Sequence, residues 1–457
     1  MKITVLSGSP KGKQSVSLQS LLYLFKKNKN HEYNIFHISK SIKKIESNLE
    51  EFEKITNDIV SSDMVIFVTP VYTFIIPSQL KRFIELIFER KKEDIFKGKF
   101  AGAITTSINF FDNCAHNYLR SICDDFEMKF CGSFSADSYD LLDDLGREKL
   151  FKFGKVLFNN AKNNMPLQRL FTKSESTPKP YSPKKSFEKV EIKDKNLLII
   201  KDKSYEGTNL HQMINSFKEC LSSEFEEITL SDLNIKGGCT GCVQCGFDHQ
   251  CIYEGVDDFI DFFNDKVSKA DIIIMAGEIK DRWLSAKWKE FFDRSFFQNH
   301  VPTMMGKQVG MIISGNLSQH FNLTEVMEGF IQWQRANLCD IVTDEFVESI
   351  DENIQNLAKR IKLEAELDYI APQGFPGKGG HKIFRDDIWG RHRFVFQTDH
   401  KWYEENDFYD FPQYDEKAIE MNENMLKLTS DPKMREAIRK MLRTEMVKPH
   451  VKIVEES

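Results

Sequence analysis

The chain has 457 residues, about three times the usual domain length, so two domains with an appendage fit it better than one core. Apolar residues make up 41% and charged residues 29%, which supports a buried core and excludes a disordered, collagen-like or fibrous chain. Against 63 Lys and Arg stand 69 Asp and Glu, a net charge of -6, so there is no surplus positive charge to capture nucleic acid or anionic lipid.

Local clusters such as Lys26, Lys27 and Lys29, or Lys184 and Lys185, read as solvated faces. No apolar run approaches the roughly 20 residues of a membrane helix, and the chain starts Met1-Lys2-Ile3-Thr4-Val5-Leu6 without a signal-peptide pattern. A cytoplasmic location is expected, with no nucleic-acid or membrane partner.

Residues 2–6 form a β-rich run that ends in a polar loop through Ser17 and enters an apolar-periodic helix over 18–27. A strand at 33–38, an amphipathic helix to Ser61, a strand at 64–69, a helix at about 78–90 and a strand at 100–105 follow. Strands alternating with helices predict a parallel, doubly wound sheet. Residues 172–188 are rich in Pro, Ser and Lys and read as a linker. The layout then repeats, with strands at 196–200, 227–230, 272–275 and 308–313 and helices from Asn209, from Val256 and over 285–292. Thirteen residues run from Thr69 to Lys81 inclusive, as from Gly277 to Lys289. A duplicated domain follows, with predicted boundaries 1–171, linker 172–190, 191–367 and a C-terminal extension 368–457.

The first loop, Gly8-Ser9-Pro10-Lys11 with Ser15, Val16 and Ser17, presents hydroxyls and backbone N–H groups at a helix N-terminus and so favours a phosphate; an ordinary capped turn is the plain alternative. After the third strand, Pro70-Val71-Tyr72-Thr73 places an aromatic in a proline-bounded loop where flat cofactors bind in open α/β sheets. Thr105, Thr106 and Ser107 end the next strand, as candidates for the cofactor's edge or as hydroxyl caps.

These motifs, with Gln79-Leu80-Lys81, resemble the flavodoxin-like NAD(P)H-dependent FMN reductase family. The resemblance implies an FMN phosphate held by Ser9, Lys11, Ser15, Val16 and Ser17, and an isoalloxazine ring against Pro70, Val71, Tyr72 and Thr73. The family usually has Asn or Thr at the positions of Val16 and Ser17, and frequently an aromatic where Thr73 stands.

Four of the nine cysteines, Cys239, Cys242, Cys245 and Cys251, form a C-x2-C-x2-C-x5-C run on a glycine-bearing loop. Thiolates so spaced converge on one centre, and the compact run suits an iron-sulfur cluster; four thiolates also satisfy a structural zinc. The odd total and the crowding argue against a disulfide framework. The setting resembles the iron-sulfur flavoprotein family over about residues 196–315, which implies a 4Fe-4S cluster on the four cysteines. His249, inside the motif, reads as a solvated loop residue.

The second half departs where flavin would bind. Asp202 and Glu206 in its first loop would repel a phosphate dianion, and Gly277-Glu278-Ile279-Lys280 replaces the tyrosine platform. The first half has no cysteine in its equivalent loop, residues 39–46. Relatives in both families commonly dimerise, so the chain is expected to be a fused pseudo-dimer, flavin in one half and cluster in the other.

The expected function is a flavin- and iron-sulfur-dependent oxidoreductase or electron carrier of an anaerobic metabolism, passing electrons from NAD(P)H or ferredoxin through FMN and the cluster to a small molecule. Neither half has the G-x-G-x-x-G fingerprint that would settle the donor. The alternative is a non-catalytic sensor or scaffold with zinc in the cysteine loop. The extension reads as a strap burying Trp389, Phe394, Phe396 and Trp402, with His381, His392 and His400 as weak proton-donor candidates, or as a substrate lid. Helices over 416–446 suggest contacts such as homodimerisation.

Overall fold

Two five-stranded parallel sheets, wound in the same order, carry the fold. The computed structural model describes residues 1–174, 178–183 and 186–456; Lys184, Lys185 and part of the predicted linker lie outside the described residues. The first sheet comprises β1 (Lys2–Ser7), β2 (Glu32–His37), β3 (Met64–Pro70), β4 (Phe100–Ser107) and β5 (Lys129–Asp137), in the order β2-β1-β3-β4-β5. The second comprises β6 (Leu197–Lys201), β7 (Glu226–Thr229), β8 (Ile272–Glu278), β9 (Gln308–Ser314) and β10 (Asn337–Thr343), in the order β7-β6-β8-β9-β10. Each is the 2-1-3-4-5 order of flavodoxin-like folds, so two such domains stand in tandem.

Central strands such as β3 and β9 read as nearly unbroken apolar runs because helices cover both faces of the sheet. The flanking helices of the first half are α1 (Val16–Lys27), α2 (Ile38–Ser47), α3 (Leu49–Ser61), α4 (Ser78–Glu89), α5 (Asp112–Asp125) and α6 (Asp144–Lys162). The single helix expected before Ser61 is two, because the Asn48 side chain accepts from Glu50 N (2.9 Å) and starts a new helix there. The second half has α7 (Asn209–Cys220), α8 (Phe259–Phe262) running into a π turn over Phe263–Val267, α9 (Ala286–Ser295), α10 (Phe321–Trp333) and α11 (Ile350–Glu366).

The linker is packed where it is described. Tyr181 is buried in the second core, and its hydroxyl donates to Asp351 Oδ1 at 2.6 Å. The chain divides into compact units Met1–His400 and Lys401–Ser457, the first holding both sheets and α12 (Phe375–Trp389). In that unit the expected strap differs: Trp389 and Phe394 are exposed, while Phe384 and Ile388 turn inward from α12. The chain passes through α13 (Gln397–Glu405) into the second unit, which carries α14 (Glu416–Leu428) and α15 (Pro432–Glu456), with Trp402 edge-on to Phe408 at 4.5 Å. Among the described residues no helix is long and apolar enough to cross a membrane.

The halves meet through α4 and α9, whose matching positions form reciprocal buried contacts. Lys81 Nζ donates to Glu85 Oε1 (3.2 Å) within α4 and across the seam to Asp281 (2.9 and 3.0 Å). Lys289 Nζ pairs with Asp293 within α9 and donates across the seam to Tyr72 O (2.7 Å). Glu85 accepts from Ala286 N (2.6 Å) and Asp293 from Ser78 N (2.8 Å), so each carboxylate meets the first turn of the opposite helix.

Removing one member of such a buried set strands its partner's charge. Lys289→Met is expected to lower unfolding free energy by about 3–5 kcal/mol, and Lys289→Met with Asp293→Leu to recover much of that loss, both measured by urea denaturation.

Candidate functional site

The first βα loop follows β1 directly. Ser9, Ser15 and Ser17 are all at most 3% exposed. Ser15 caps α1 and its Oγ lies 2.8 Å from Ser17 Oγ, so three hydroxyls gather at a positive helix end with Lys11 on the open side. At the end of β3, Val71 N donates to Thr106 O (3.0 Å) and Tyr72 N to Ile75 O (2.8 Å), closing a tight turn. Its inner residues Thr73 and Phe74 adopt left-handed backbone, φ 37° and 72°, which is costly for a β-branched and a bulky side chain. Lys289 on Tyr72 O, and Thr73 Oγ1 donating to Phe292 O (3.3 Å), hold the turn from the second half.

The cysteine loop is built on the second half and reaches this turn. Arg294 clamps it, donating to both Asp257 oxygens (2.8 and 2.9 Å) and to Gly237 O (2.9 Å), with its guanidinium 4.2 Å from the Tyr253 ring. Gln79 Nε2 of α4 donates to Cys239 O (3.0 Å). Gly241 is left-handed, φ 65°, and a Cβ there would stand 1.8 Å from Tyr72 Oη and 3.0 Å from Lys11 Cε. Glycine is required on both counts.

A cavity of about 360 Å³ lies between these elements. Its wall includes Ser9, Lys11, Ser15, Val16, Ser17, Pro70, Val71, Tyr72, Thr73, Thr106 and Ser107 from the first half, and Cys239, Cys242, Cys245 and Cys251 from the second. Thr105 lies outside the wall, its Oγ1 paired with His116 Nε2 at 2.7 Å. Among the described residues, buried Thr106 Oγ1 and Thr240 Oγ1, both on residues of the wall, have no hydrogen-bond partner. Polar atoms so placed suit a ligand with hydrogen-bonding edges.

Burial, together with the other thiols nearby, pushes Cys239 and Cys245 up to about 12, and raises Cys251. Gly241 N donates to Cys239 Sγ (3.4 Å) and favours its thiolate. Ligation there would release protons. Among the described residues, no three His, Cys, Asp or Glu side chains are grouped so as to hold a metal ion.

The sequence missed most of the aromatic end of the cavity: Phe110, Phe292, Phe330, Trp333 and Phe384 join Phe396 of the expected strap. These residues come from five separate segments, so no local pattern brings them together. Of the three candidate histidines His392 is in the wall, and His381 and His400 are not. His249 is only partly exposed, and its Nε2 pairs with buried Asp399 (3.0 Å), which also takes His300 Nδ1 (2.8 Å).

The first βα loop and the tyrosine turn both lie within a segment matched by a known family. Residues 1–139 match the NADPH-dependent FMN reductase family. An iron-sulfur flavoprotein of Archaeoglobus fulgidus is 31% identical over 108 residues, covering 23% of this chain and 47% of that protein. The chain therefore spans about half the length of the curated relative it matches. Similar solved structures include an FMN-dependent NADH-azoreductase from Bacillus anthracis in complex with FMN, 15% identical, covering 36% of this chain and 100% of that one, TM-score 0.27. Another is an NAD(P)H:quinone oxidoreductase from Methanothermobacter marburgensis, 14% identical, covering 37% and 98%, TM-score 0.29.

In the second half the equivalent loop is filled by its own side chains. Tyr205 is buried and its hydroxyl donates to Asp202 Oδ1 (2.5 Å), whose other oxygen takes Ser285 Oγ. The platform position carries Lys280, paired with Glu278 at 2.8 Å.

Gly241→Ala must shift either Tyr72 or the cysteine loop. It is expected to cost at least about 1–2 kcal/mol in denaturant unfolding from the left-handed backbone alone. Unchanged stability would mean that the loop does not press on Tyr72.

Proposed function

We propose that this chain is an FMN-dependent oxidoreductase in which one flavin, bound by the first half, exchanges electrons with a 4Fe-4S cluster held by Cys239, Cys242, Cys245 and Cys251. The observation that carries the reading is that the phosphate loop, the tyrosine turn and all four cysteines line one cavity. NAD(P)H or ferredoxin is the donor and a small molecule the acceptor; the family match over residues 1–139 supports the flavin and a nicotinamide donor.

The residues present fit FMN. Ser9, Ser15 and Ser17 with the α1 N-terminus and Lys11 hold the phosphate by charge-assisted hydrogen bonds. Pro70, Val71, Tyr72 and Thr73 form a surface for the ring, and unpartnered Thr106 meets a polar edge of it, beside Ser107. Thr105 lies outside the cavity wall, with its hydroxyl on His116.

Four cysteines on one cavity wall are the ligand set that a 4Fe-4S cluster takes, and their compact spacing supports the cluster over a zinc site.

When bound, FMN accepts electron pairs and releases single electrons, and the cluster moves electrons singly. The protein orients the two. Tyr72, pinned through its carbonyl by Lys289 and packed on Gly241, fixes the distance between platform and cysteine loop. Arg294 fixes the loop itself.

The test is anaerobic purification with quantified cofactors: one FMN and about four irons per chain are expected. Two flavins, or zinc without iron, would overturn the reading. Ser17→Ala is expected to weaken FMN about tenfold by removing a hydrogen bond to a charged group, while riboflavin binding, which lacks the phosphate, stays unchanged. Cys242→Ser should lose iron and keep flavin.

A further inference from the structure

The aromatic end of the cavity contains one polar pair from the C-terminal segment, outside the residues matched by the reductase family. His392 Nδ1 is hydrogen-bonded to Asp387 Oδ2, and both residues line the cavity. The ring's other nitrogen, Nε2, lies 3.5 Å from Tyr139 Oη, too far for a firm hydrogen bond. A histidine with one nitrogen fixed on a carboxylate keeps the other for proton transfer.

Burial alone would raise Asp387, but hydrogen bonds from His392 and Arg391 hold it below the usual carboxylate range. Arg391 bridges Asp387 (3.0 Å) and Asp137 (2.8 and 3.0 Å), and its guanidinium lies 4.8 Å from the Tyr139 ring. Asp137, Tyr139, Asp387 and Arg391 are thus the titratable and charged groups around His392, and the two carboxylates are set against one guanidinium.

Elsewhere in the wall Asp293 is held by Lys289 and Ser78 N and Arg294 by Asp257, His300 has its Nδ1 on Asp399, a carboxylate it shares with His249, and Lys11 stands at the phosphate end. Phe110, Phe330, Trp333, Phe384 and Phe396 surround the remaining space and keep bulk water from an acceptor there.

We propose that His392 is the proton donor to the acceptor reduced in this cavity, with Asp387 as its positioning residue; the proposal rests on the flavin reading of the same site. The acceptor takes one hydride from the reduced flavin, which returns to its oxidised form, and one proton from His392 Nε2. The Nε2–H bond breaks and an O–H or N–H bond forms on the acceptor. The neutral imidazole then regains a proton from solvent past half-exposed Tyr139.

The experiment uses the full chain, with and without FMN. In loaded protein, His392→Gln is expected to lower acceptor turnover about a hundredfold or more, with flavin reduction by the donor and FMN affinity within about twofold. Wild-type turnover should fall as pH rises, because the donor must be protonated, and the variant should lose that limb. Asp387→Asn should lose turnover in the same direction but less.

A second readout needs no flavin. Flavin-free wild type should bind 4-nitrophenol as the yellow phenolate at a pH where the free phenol is mostly colourless, and His392→Gln should bind it uncoloured. Turnover within about twofold of wild type in His392→Gln, or a phenolate band absent from wild type or retained in the variant, would overturn the proposal. A chain that takes up no FMN refutes the flavin reading instead, and the nitrophenol band still decides the histidine.

Discussion

The arrangement of both halves depends on two lysines buried at one seam. Lys81 and Lys289 stand at matching positions of α4 and α9, each four residues before a carboxylate that meets the other helix's first turn. This is the isologous pattern of a symmetric dimer, realised within one chain. Its symmetry ends at the last contact: Lys81 reaches the carboxylate of Asp281, whereas Lys289 reaches the carbonyl of Tyr72. The ammonium that secures the seam therefore also fixes the residue that forms the floor of the cavity.

That asymmetry continues outward. On one side the loop after the first strand leaves three buried serines around open space; on the other, Tyr205, Asp202 and Ser285 occupy the space themselves. Burial pushes the Asp202 carboxyl above its ordinary range, against the hydrogen bonds from Ser285 and Tyr205 that lower it. The same backbone scaffold thus offers one receptive pocket and one closed by hydrogen bonds.

Much of this was legible in the sequence because it is local. Apolar runs ending in polar loops marked eight of the ten strands, and the equal spacing before Lys81 and Lys289 marked the duplication. The two fifth strands escaped because their own residues read as mixed: β5 is Lys-Phe-Cys-Gly-Ser-Phe-Ser-Ala-Asp, and β10 carries Asp340 outward. The cysteine spacing identified the loop; that it would press against Tyr72 rests on Gly241 and Arg294, which mean little until the seam is formed. The aromatic end and His392 were the least legible, since their partners lie up to hundreds of residues apart in the chain. Trp389 and Phe394 misled in the opposite sense, for aromatic content does not say which rings turn inward.

Covalent fusion changes what this seam can tolerate. When two identical subunits pair, every substitution enters both pockets at once, and dilution can separate them. Here the partner arrives at a fixed local concentration whatever the cellular abundance, and each copy can change alone. The cysteine loop and the tyrosine turn could therefore specialise against each other, with neither having to complement its own duplicate.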